Sequence, residues 1–465
     1  MHIVLISTYE LGHQPFGLAS PAAWLKAAGA QVTCLDLAVE PLRPAVIAAA
    51  ELVAFYLPMH TATRLAAAEI PRIRQINPRA QICCYGLYAP INETFLRKLG
   101  VATILGGEFE TGLLALFRRL AATNSGATPP PAPAPQVEPR VLLDLQSFIT
   151  PDRSGLPDLS AYAHVQLPDG ARRISGYTEA SRGCKHHCRH CPIVPVYEGR
   201  FRIVQREVVL DDIRRQAASG ARHITFGDPD FFNGPGHAIP LVQALHAEFP
   251  AMTYDVTIKV EHLLRHAALL PVLRDTGCLF VTSAVEAVDD EILAIFAKRH
   301  TRDDFIRLVE LFNELGLTLT PTFVTFTPWT TRERYHDLLA LIAQLGLVEH
   351  VAPIQYAIRL LIPAESKLLE LAQVQQLVDP FDEVVLCYPW SHPDSGVDRL
   401  YAAVRQAVIT GQARGLARQA IFEQIWRLSQ EALVAAGHRP APERRAPRFL
   451  LPRPPIPSMS EPWYC

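Results

Sequence analysis

Three cysteines lie close together in the run Arg182-Gly183-Cys184-Lys185-His186-His187-Cys188-Arg189-His190-Cys191-Pro192. The spacing of Cys184, Cys188 and Cys191 is C-x3-C-x2-C. Three thiolates from one loop suffice for three irons of a cubane 4Fe-4S cluster, and they leave the fourth iron open to a cofactor or substrate. The competing chemistry is zinc, held by these thiols and one of His186, His187 or His190. A structural zinc site usually closes with four ligands, commonly as two separated pairs. The position of the loop directly after a strand favours the cluster. Other reactive groups sit at the ends of later strands: Gly227-Asp228-Pro229-Asp230, Lys259 with Glu261, and Ser283 with Glu286. Any one of them could be a solvated rim residue, but their common placement on one rim marks them as a set.

Two series of elements must position these groups. In the first, HIVLIS (2–7), QVTCLD (31–36), ELVAFY (51–56), AQICCY (80–85) and ATIL (102–105) read as strands separated by helical patterns. Such alternation predicts an α/β, doubly wound parallel sheet of Rossmann type over residues 1–122. Its ligand-binding loops include Tyr9 to Gly17, Pro58 to Thr61 and Gly106-Gly107. Residues 123–139 are a Pro/Ala-rich linker, and 140–172 a connecting segment. The second series begins at about Arg173 with ISGYTEA and continues with RHITFGD, TYDVTIK, LFVTSAVE, LTPTFVTF and APIQYAI (352–358). Six βα units predict a partial (β/α)6 TIM-like barrel over 173–362, with its site on the loops after the strands. Phe305, Leu308, Val309 and Phe312 recur at helical spacing within one of the intervening helices, Asp303 to Gly316. A helical region follows over 363–438, and 439–465 reads as a Pro-rich flexible tail.

Bulk properties exclude several classes. The chain of 465 residues carries 44 Lys and Arg against 46 Asp and Glu, which gives no global attraction to nucleic acid or anionic lipid. MHIVLIS reads as a strand and not as a signal peptide, and the longest apolar run, broken by Glu51, is too short for a membrane span. A cytoplasmic location is expected. Nine cysteines, odd in number and unevenly spread, do not form a disulfide framework. Cys34, Cys83, Cys84 and Cys278 fall on or beside predicted strands and read as buried small hydrophobes.

With its cysteine motif ahead of a βα series, the chain resembles the radical S-adenosylmethionine (SAM) superfamily over roughly residues 173–360. The resemblance implies that Cys184, Cys188 and Cys191 hold a 4Fe-4S cluster and that SAM binds its open iron. Gly227, Asp228 and Asp230 stand where the family receives the SAM amino group, although Gly-Asp-Pro-Asp departs from the usual Gly-Gly-Glu. Lys259, Glu261, Ser283 and Glu286 stand where the family grips the SAM carboxylate and ribose. Phe326-Thr327-Pro328-Trp329 could stack on adenine or substrate, or pack in the core. The implied chemistry is reductive cleavage of SAM to methionine and a 5′-deoxyadenosyl radical that abstracts hydrogen.

The first sheet resembles the cobalamin-binding domain of class B radical SAM methylases. In that comparison His13 is a candidate lower cobalt ligand, although the Asp-x-His-x-x-Gly pattern is absent. Gly17, Gly106 and Gly107 are candidate contacts to cobalamin, or plain turn residues. The runs STYELGHQPFG and the terminal WYC also resemble a radical SAM subgroup whose tail continues through Cys or selenocysteine into Ala-Glu-Pro, a CUAEP/CCAEP tail. That likeness makes Cys465 a candidate redox residue and the natural chain a candidate selenoprotein. The expected function is radical SAM modification, with methylation as one form, of an unactivated carbon in a small molecule or peptide. The expected electron donor is a flavodoxin or ferredoxin. A cobalamin-independent enzyme, a non-catalytic iron-sulfur carrier or sensor, and a nucleic-acid-modifying role are the alternatives, the last disfavoured by the neutral charge.

Overall fold

The computed structural model describes residues 1–124, 138–437 and 456–461. Its first sheet has the order β2-β1-β3-β4-β5-β6, formed by β1 (His2–Ser7), β2 (Gln31–Asp36), β3 (Leu52–Tyr56), β4 (Gln81–Tyr85), β5 (Thr103–Gly107) and β6 (Val141–Leu142), all parallel. The first five match the apolar, β-branched runs. Buried on both faces, such strands need no alternation, and β3 is buried at every position. On one face α1 (Phe16–Ala27) contributes Leu18, Ala22 and Leu25 to a core. On the other, α2 (His60–Ile76) contributes Ala66, Ile70 and Ile73. The helix after β5, α3 (Phe109–Asn124), returns to the α1 face. The sixth strand comes from the connecting segment, and most of the expected linker lies outside the described residues.

The second sheet runs β14-β13-β12-β11-β8-β7-β15. Its parallel staves are β8 (Arg172–Thr178), β11 (His223–Phe226), β12 (Thr253–Thr257), β13 (Cys278–Glu286) and β14 (Leu319–Phe323). At one edge β7 (His164–Gln166) pairs antiparallel to β8, and β15 (Ser458–Met459) pairs antiparallel to β7. The expected sixth stave at 352–358 is instead a 3-10 turn, Pro353–Ala357. A single parallel bridge, Phe326 to Arg359, marks where that stave would begin. Proline lacks the N–H a ladder needs, which accounts for the turn. Residues 456–461 of the expected flexible tail are ordered against β7; the rest of the tail, with Cys465, lies outside the described residues.

Helix α4 (Arg302–Leu315) shows how local sequence sets the frame. Thr301 and Asp304 form a reciprocal capping box at its start, and Gly316 closes it at φ +66. Phe305, Leu308, Val309 and Phe312 face the core, and Phe305 meets Phe323 of β14 edge-on at 6.1 Å. Beyond the barrel, α5 (Ser395–Ala413) and α6 (Arg418–Ala435) pack as a pair and bury Val404, Val408, Ile421 and Phe422.

The two sheets are joined through buried charge. A short strand, β9 (Ser181–Gly183), pairs only with β10 (Phe201–Ile203) and forms a separate two-stranded sheet. Arg182 on β9 is 5% exposed and reaches into the first domain. Its guanidinium bonds Glu110 at 2.7 and 2.9 Å, Glu108 at 3.3 Å and Glu179 at 2.5 Å. Phe16, Phe109 and Phe148 cover it, with ring centroids 5.5, 4.9 and 5.0 Å away. A second buried link runs from Arg153 to Asp212 at 2.7 Å and to Gln14 at 2.8 Å.

Phe305→Ala should destabilise the barrel by about 3–5 kcal/mol, read from denaturant unfolding. Burial outweighs the Arg182 charge at Glu108 and lifts its carboxyl to about 7. A carboxyl raised in the folded state binds its proton there more tightly than in the unfolded chain. Its stabilising effect is therefore full below the unfolded value and declines as pH rises through about 7. Glu108→Gln should remove that component, so the fall in melting temperature from pH 5 to pH 8 is shallower in the variant.

Candidate active site

The cysteine loop leaves β9 at Gly183, whose φ is +74. A side chain there would enter the Tyr197 ring and the Arg200 carbonyl, so glycine is required. Asn233 then ties the loop to the turn after β11. Its Oδ1 accepts from Lys185 N at 3.1 Å and lies 3.8 Å from Cys184 Sγ, while its Nδ2 donates to Gly183 O at 3.3 Å. Further on, Arg189 N donates to Phe296 O at 3.0 Å, and Cys191 N to Cys188 O at 3.1 Å. Cys188 is buried, and Cys184 and Cys191 are partly so. Burial, then Asp230, pushes the Cys184 thiol up to about 11, so it ionises only with a compensating cation.

Among the described residues, one group of potential ligands gathers its atoms within 4.8 Å: Cys184, His186 and Asp230. It includes a single thiol. The three cysteines are thus not collected around one ion as a tetrahedral zinc requires. Nor do the loop histidines supply a common fourth ligand. His186 turns to Lys259 and Asp230, His190 to Glu286, and His187 is exposed.

The rim residues divide into two kinds. Gly227 is pressed against the Tyr177 ring. Asp228 is spent on the protein, accepting from Ala180 N at 2.9 Å and Ser181 Oγ at 2.5 Å. Burial lifts it to about 7 despite those bonds. Asp230 caps the next turn through Phe232 N at 3.1 Å. Its other oxygen lies 2.7 Å from His262 Nδ1 and 3.3 Å from His186 Nε2, and against burial these imidazoles hold the carboxyl below its usual range. Lys259 meets Glu261 at 3.1 Å and His186 at 3.2 Å. Ser283 is fully buried, and its hydroxyl has no partner. Glu286 ends β13 at φ +70, with His190 at 3.1 Å and Lys298 at 3.4 Å. Burial opposes its charge, but Lys298 and His190 hold it down at about 2.

Asn233, His262, Lys298 and His300 escaped the sequence reading. Lys298 is 3% exposed; burial disfavours its charge, but Glu286 and then Cys188 and Cys191 restore it. His300 is buried with neither ring nitrogen hydrogen-bonded. Burial, then Lys298 and Lys259, lowers it to about 3, so the ring is neutral. Ala297 and Arg299, either side of Lys298, are left-handed at φ +56 and +59. That strain in an irregular loop is a structural signal with no counterpart in strand or helix periodicity. Phe326 is core, stacked on Tyr335 at 4.7 Å, and Trp329 meets Phe296 at 6.2 Å.

The buried atoms Ser283 Oγ, Thr322 Oγ1, His190 Nδ1 and both nitrogens of His300 lack hydrogen-bond partners, whereas His186 Nε2 and His262 Nδ1 meet Asp230 Oδ2 at ion-pair distance. Each unpartnered atom costs about 1–3 kcal/mol unless something meets it. Beside a loop of three thiols, acids, cations and hydroxyls in this number fit a cluster and a zwitterionic amino-acid ligand.

The first-domain candidates are placed differently. His13 stacks on Tyr177 at 4.7 Å, and burial lowers it to about 4. A Cβ on Gly17 would fall in the Tyr56 ring, one on Gly106 would meet Pro90, and one on Gly107 would meet the Leu142 carbonyl. Gly106 N and Glu108 N donate to Arg140 O and Leu142 O, each at 2.7 Å. The space these glycines open is taken by the chain itself. Cys34, Cys83, Cys84 and Cys278 are buried.

A family model described as the radical SAM superfamily matches residues 178–342. Hopanoid C-3 methylase of Methylococcus capsulatus is 27% identical over 157 residues, 34% of this chain and 30% of that protein. A tRNA-2-methylthio-N(6)-dimethylallyladenosine synthase of Herpetosiphon aurantiacus is 26% identical over 188 residues, 37% of this chain and 41% of the relative. The chain thus spans less than half the length of either curated relative. Among solved structures, the methyltransferase TsrM of Kitasatospora setae with cobalamin and a [4Fe-4S] cluster bound has a TM-score of 0.63 at 15% identity, covering 93% of this chain and 99% of that one. The radical enzyme OxsB with aqua-cobalamin and SAM bound has a TM-score of 0.62 at 13% identity, covering 94% and 75%. These likenesses establish the two-domain fold, a cobalamin-binding-like sheet ahead of a radical SAM barrel. The cysteine loop opens the matched region, and residues 178–342 form a domain that matches the radical SAM superfamily.

Proposed function

We propose that this protein is a radical SAM enzyme that modifies an unactivated carbon of a small-molecule or peptide substrate, with methyl transfer as the transformation. The observation that carries the proposal is the set of unpartnered buried polar atoms beside Cys184, Cys188 and Cys191. When bound, a 4Fe-4S cluster supplies the single electron that cleaves SAM and so enables hydrogen abstraction from carbon.

The chain's own residues do the rest. The three cysteines hold the cluster, and Asn233 and Asp228 fix the strand and turn that present them. Lys298, neutralised in part by Glu286, keeps a positive charge facing Cys188 and Cys191. Asp230 and Glu261 suit the amino group of SAM. Lys259, Ser283 and the neutral His300 suit its carboxylate and ribose. Gly227 and Asp228 serve through the backbone, since their side positions are occupied by Tyr177, Ala180 and Ser181. Glu286 acts through Lys298 and His190. A flavodoxin or ferredoxin is the electron donor in this reading. No helix among the described residues is long and apolar enough to cross a membrane.

Cobalamin enters through fold: TsrM and OxsB, alike over nearly the whole chain, bind it, and His13, buried against Tyr177, is the first-domain candidate for a ligand to it. A cobalamin-independent enzyme is the second reading, favoured by the filled space at Gly17, Gly106 and Gly107.

Anaerobic reconstitution with iron and sulfide, reduction and addition of SAM should yield 5′-deoxyadenosine, and the Cys184→Ala, Cys188→Ala, Cys191→Ala triple variant should yield none. A full cluster without that product would favour an electron carrier or sensor. Repeating the assay with and without hydroxocobalamin separates the two enzymatic readings. Lys298→Met removes a charge that favours adding an electron to the cluster. It should lower the midpoint potential, followed by electron paramagnetic resonance (EPR), and slow deoxyadenosine formation by roughly tenfold.

A further inference from the structure

The carboxyl edge of the first sheet is where a sheet of this topology binds its ligand. Two of its glycines, Gly106 and Gly107, are paired with β6 and covered by Pro90 and the Leu142 carbonyl. Gly17 is covered by Tyr56 and its carbonyl accepts from Tyr85 at 2.8 Å. Directly beyond β5 come Glu108 and Glu110, both essentially fully buried. Into them runs the guanidinium of Arg182. Ser20 donates to Glu110 at 2.6 Å, Gln146 to Glu110 at 3.1 Å and to Glu108 at 3.3 Å, and Tyr197 to Glu108 at 3.4 Å. These partners come from α1, the connecting segment and the cysteine loop's own helical turn.

We infer that this edge is a protein-filled socket for Arg182, which positions the strand leading into Cys184, and is not a slot for a nucleotide tail. The strand β9 has no ladder to the barrel sheet. Apart from its pairing with β10, its placement against the two large sheets therefore rests on individual contacts, with side chains alternating across it. Ser181 is held by Asp228 of the barrel, Arg182 by the first domain, and the Gly183 carbonyl by Asn233. The fork of Arg182 fixes direction as well as distance, because two nitrogens engage the two oxygens of Glu110. Arg182 is a positioning residue: its contacts are with protein groups, and it acts through Cys184. The first domain thereby sets the place of the first cluster ligand. A ligand that entered this edge would have to displace a buried ion pair.

The inference rests on the three cysteines holding the cluster, and its test keeps the two apart. Glu110→Gln is the informative variant, since Glu110 lies in the other domain and contacts no cysteine. The full-length wild type, Glu110→Gln, Arg182→Gln and Arg182→Lys are reconstituted anaerobically. Iron content, EPR line shape of the reduced cluster, midpoint potential and thermal melt are then compared. The wild type is also incubated with hydroxocobalamin and gel-filtered. The expected result is a cooperative melt in every variant, with altered line shape and shifted midpoint, or severalfold lower iron, in Glu110→Gln and Arg182→Gln. Arg182→Lys, which keeps charge without the fork, should fall between, and the wild type should retain far less cobalamin than protein. If Glu110→Gln does not fold, Ser20→Ala removes one hydrogen bond to the same carboxylate and carries the same readouts. Iron, line shape and midpoint equal to wild type in both charge variants would overturn the socket. So would equimolar cobalamin retention that Gly106→Val abolishes. A wild type that binds no iron refutes the cluster assignment itself, whereas a complete wild-type cluster unmoved by the variants refutes only the socket.

Discussion

A guanidinium withdrawn from water needs its charge answered locally, and Arg182 is answered by three carboxylates at once. Three anions around one cation would leave the junction strongly negative, so the protons must be shared unequally. Burial raises Glu108 and Glu179, while Arg182, with Ser20 and Gln146, overcomes burial at Glu110 and keeps it ionised. The core of the junction is one ion pair, Arg182 with Glu110, padded by two more readily protonated acids and three aromatic rings. Removing one partner of such a pair is expected to cost about 3–5 kcal/mol, because it strands a buried charge. The packing of the two domains is therefore not free to drift while Arg182 remains between them.

That constraint reaches the reactive end through covalent adjacency. Gly183 and Cys184 follow Arg182 directly, and the positive φ of Gly183 turns the chain into the loop. The far side of the loop is fixed by Arg189, which donates to Ala294 and Ile295 carbonyls at 3.3 and 2.9 Å. A loop pinned at both ends can hold thiols at fixed separations before any iron is present. Polar groups on the rim need not then satisfy one another, and several do not. Unmet donors and acceptors are tolerable only where rigid surroundings prevent them from collapsing together and a ligand later meets them.

Much of this was legible in the sequence. The five strands of the first sheet and five staves of the barrel announce themselves as β-branched runs between helical periods, because parallel strands buried on both faces need little else. The cysteine spacing, together with the loop's place after a predicted strand, pointed to a cluster. What escaped depends on contacts between distant segments. The strands β6 and β15 are two residues each and exist because β5 and β7 offer unpaired edges. The Pro-rich composition of the tail argued for disorder, yet Ser458 and Met459 complete β7 and Glu461 accepts from Tyr9 at 2.5 Å. Proline at 353 overrode the apolar run that read as a sixth stave. Lys298 and His300 follow a short helix in a loop without periodicity, and only the folded chain brings them to Glu286 and the cysteines.

The direction in which several buried acids are displaced sorts those carboxylates by task. Those raised by burial, Glu10, Glu108, Glu179 and Asp228, lie on or beside the junction between the sheets, where they accept hydrogen bonds or sit near other acids. Those held low despite burial, Asp230, Glu261 and Glu286, lie on the rim, each with a fixed cationic or imidazole neighbour. A junction of readily neutralised acids can be dry and closely packed, since little charge must be solvated there. A rim of enforced charges is costly to build and unstable unless rigid, and it suits a ligand that carries both an ammonium and a carboxylate. Glu110 breaks the sorting, as an ionised acid deep in the junction. It does so because Arg182 stands opposite, at the one point where the junction and the reactive loop share a strand.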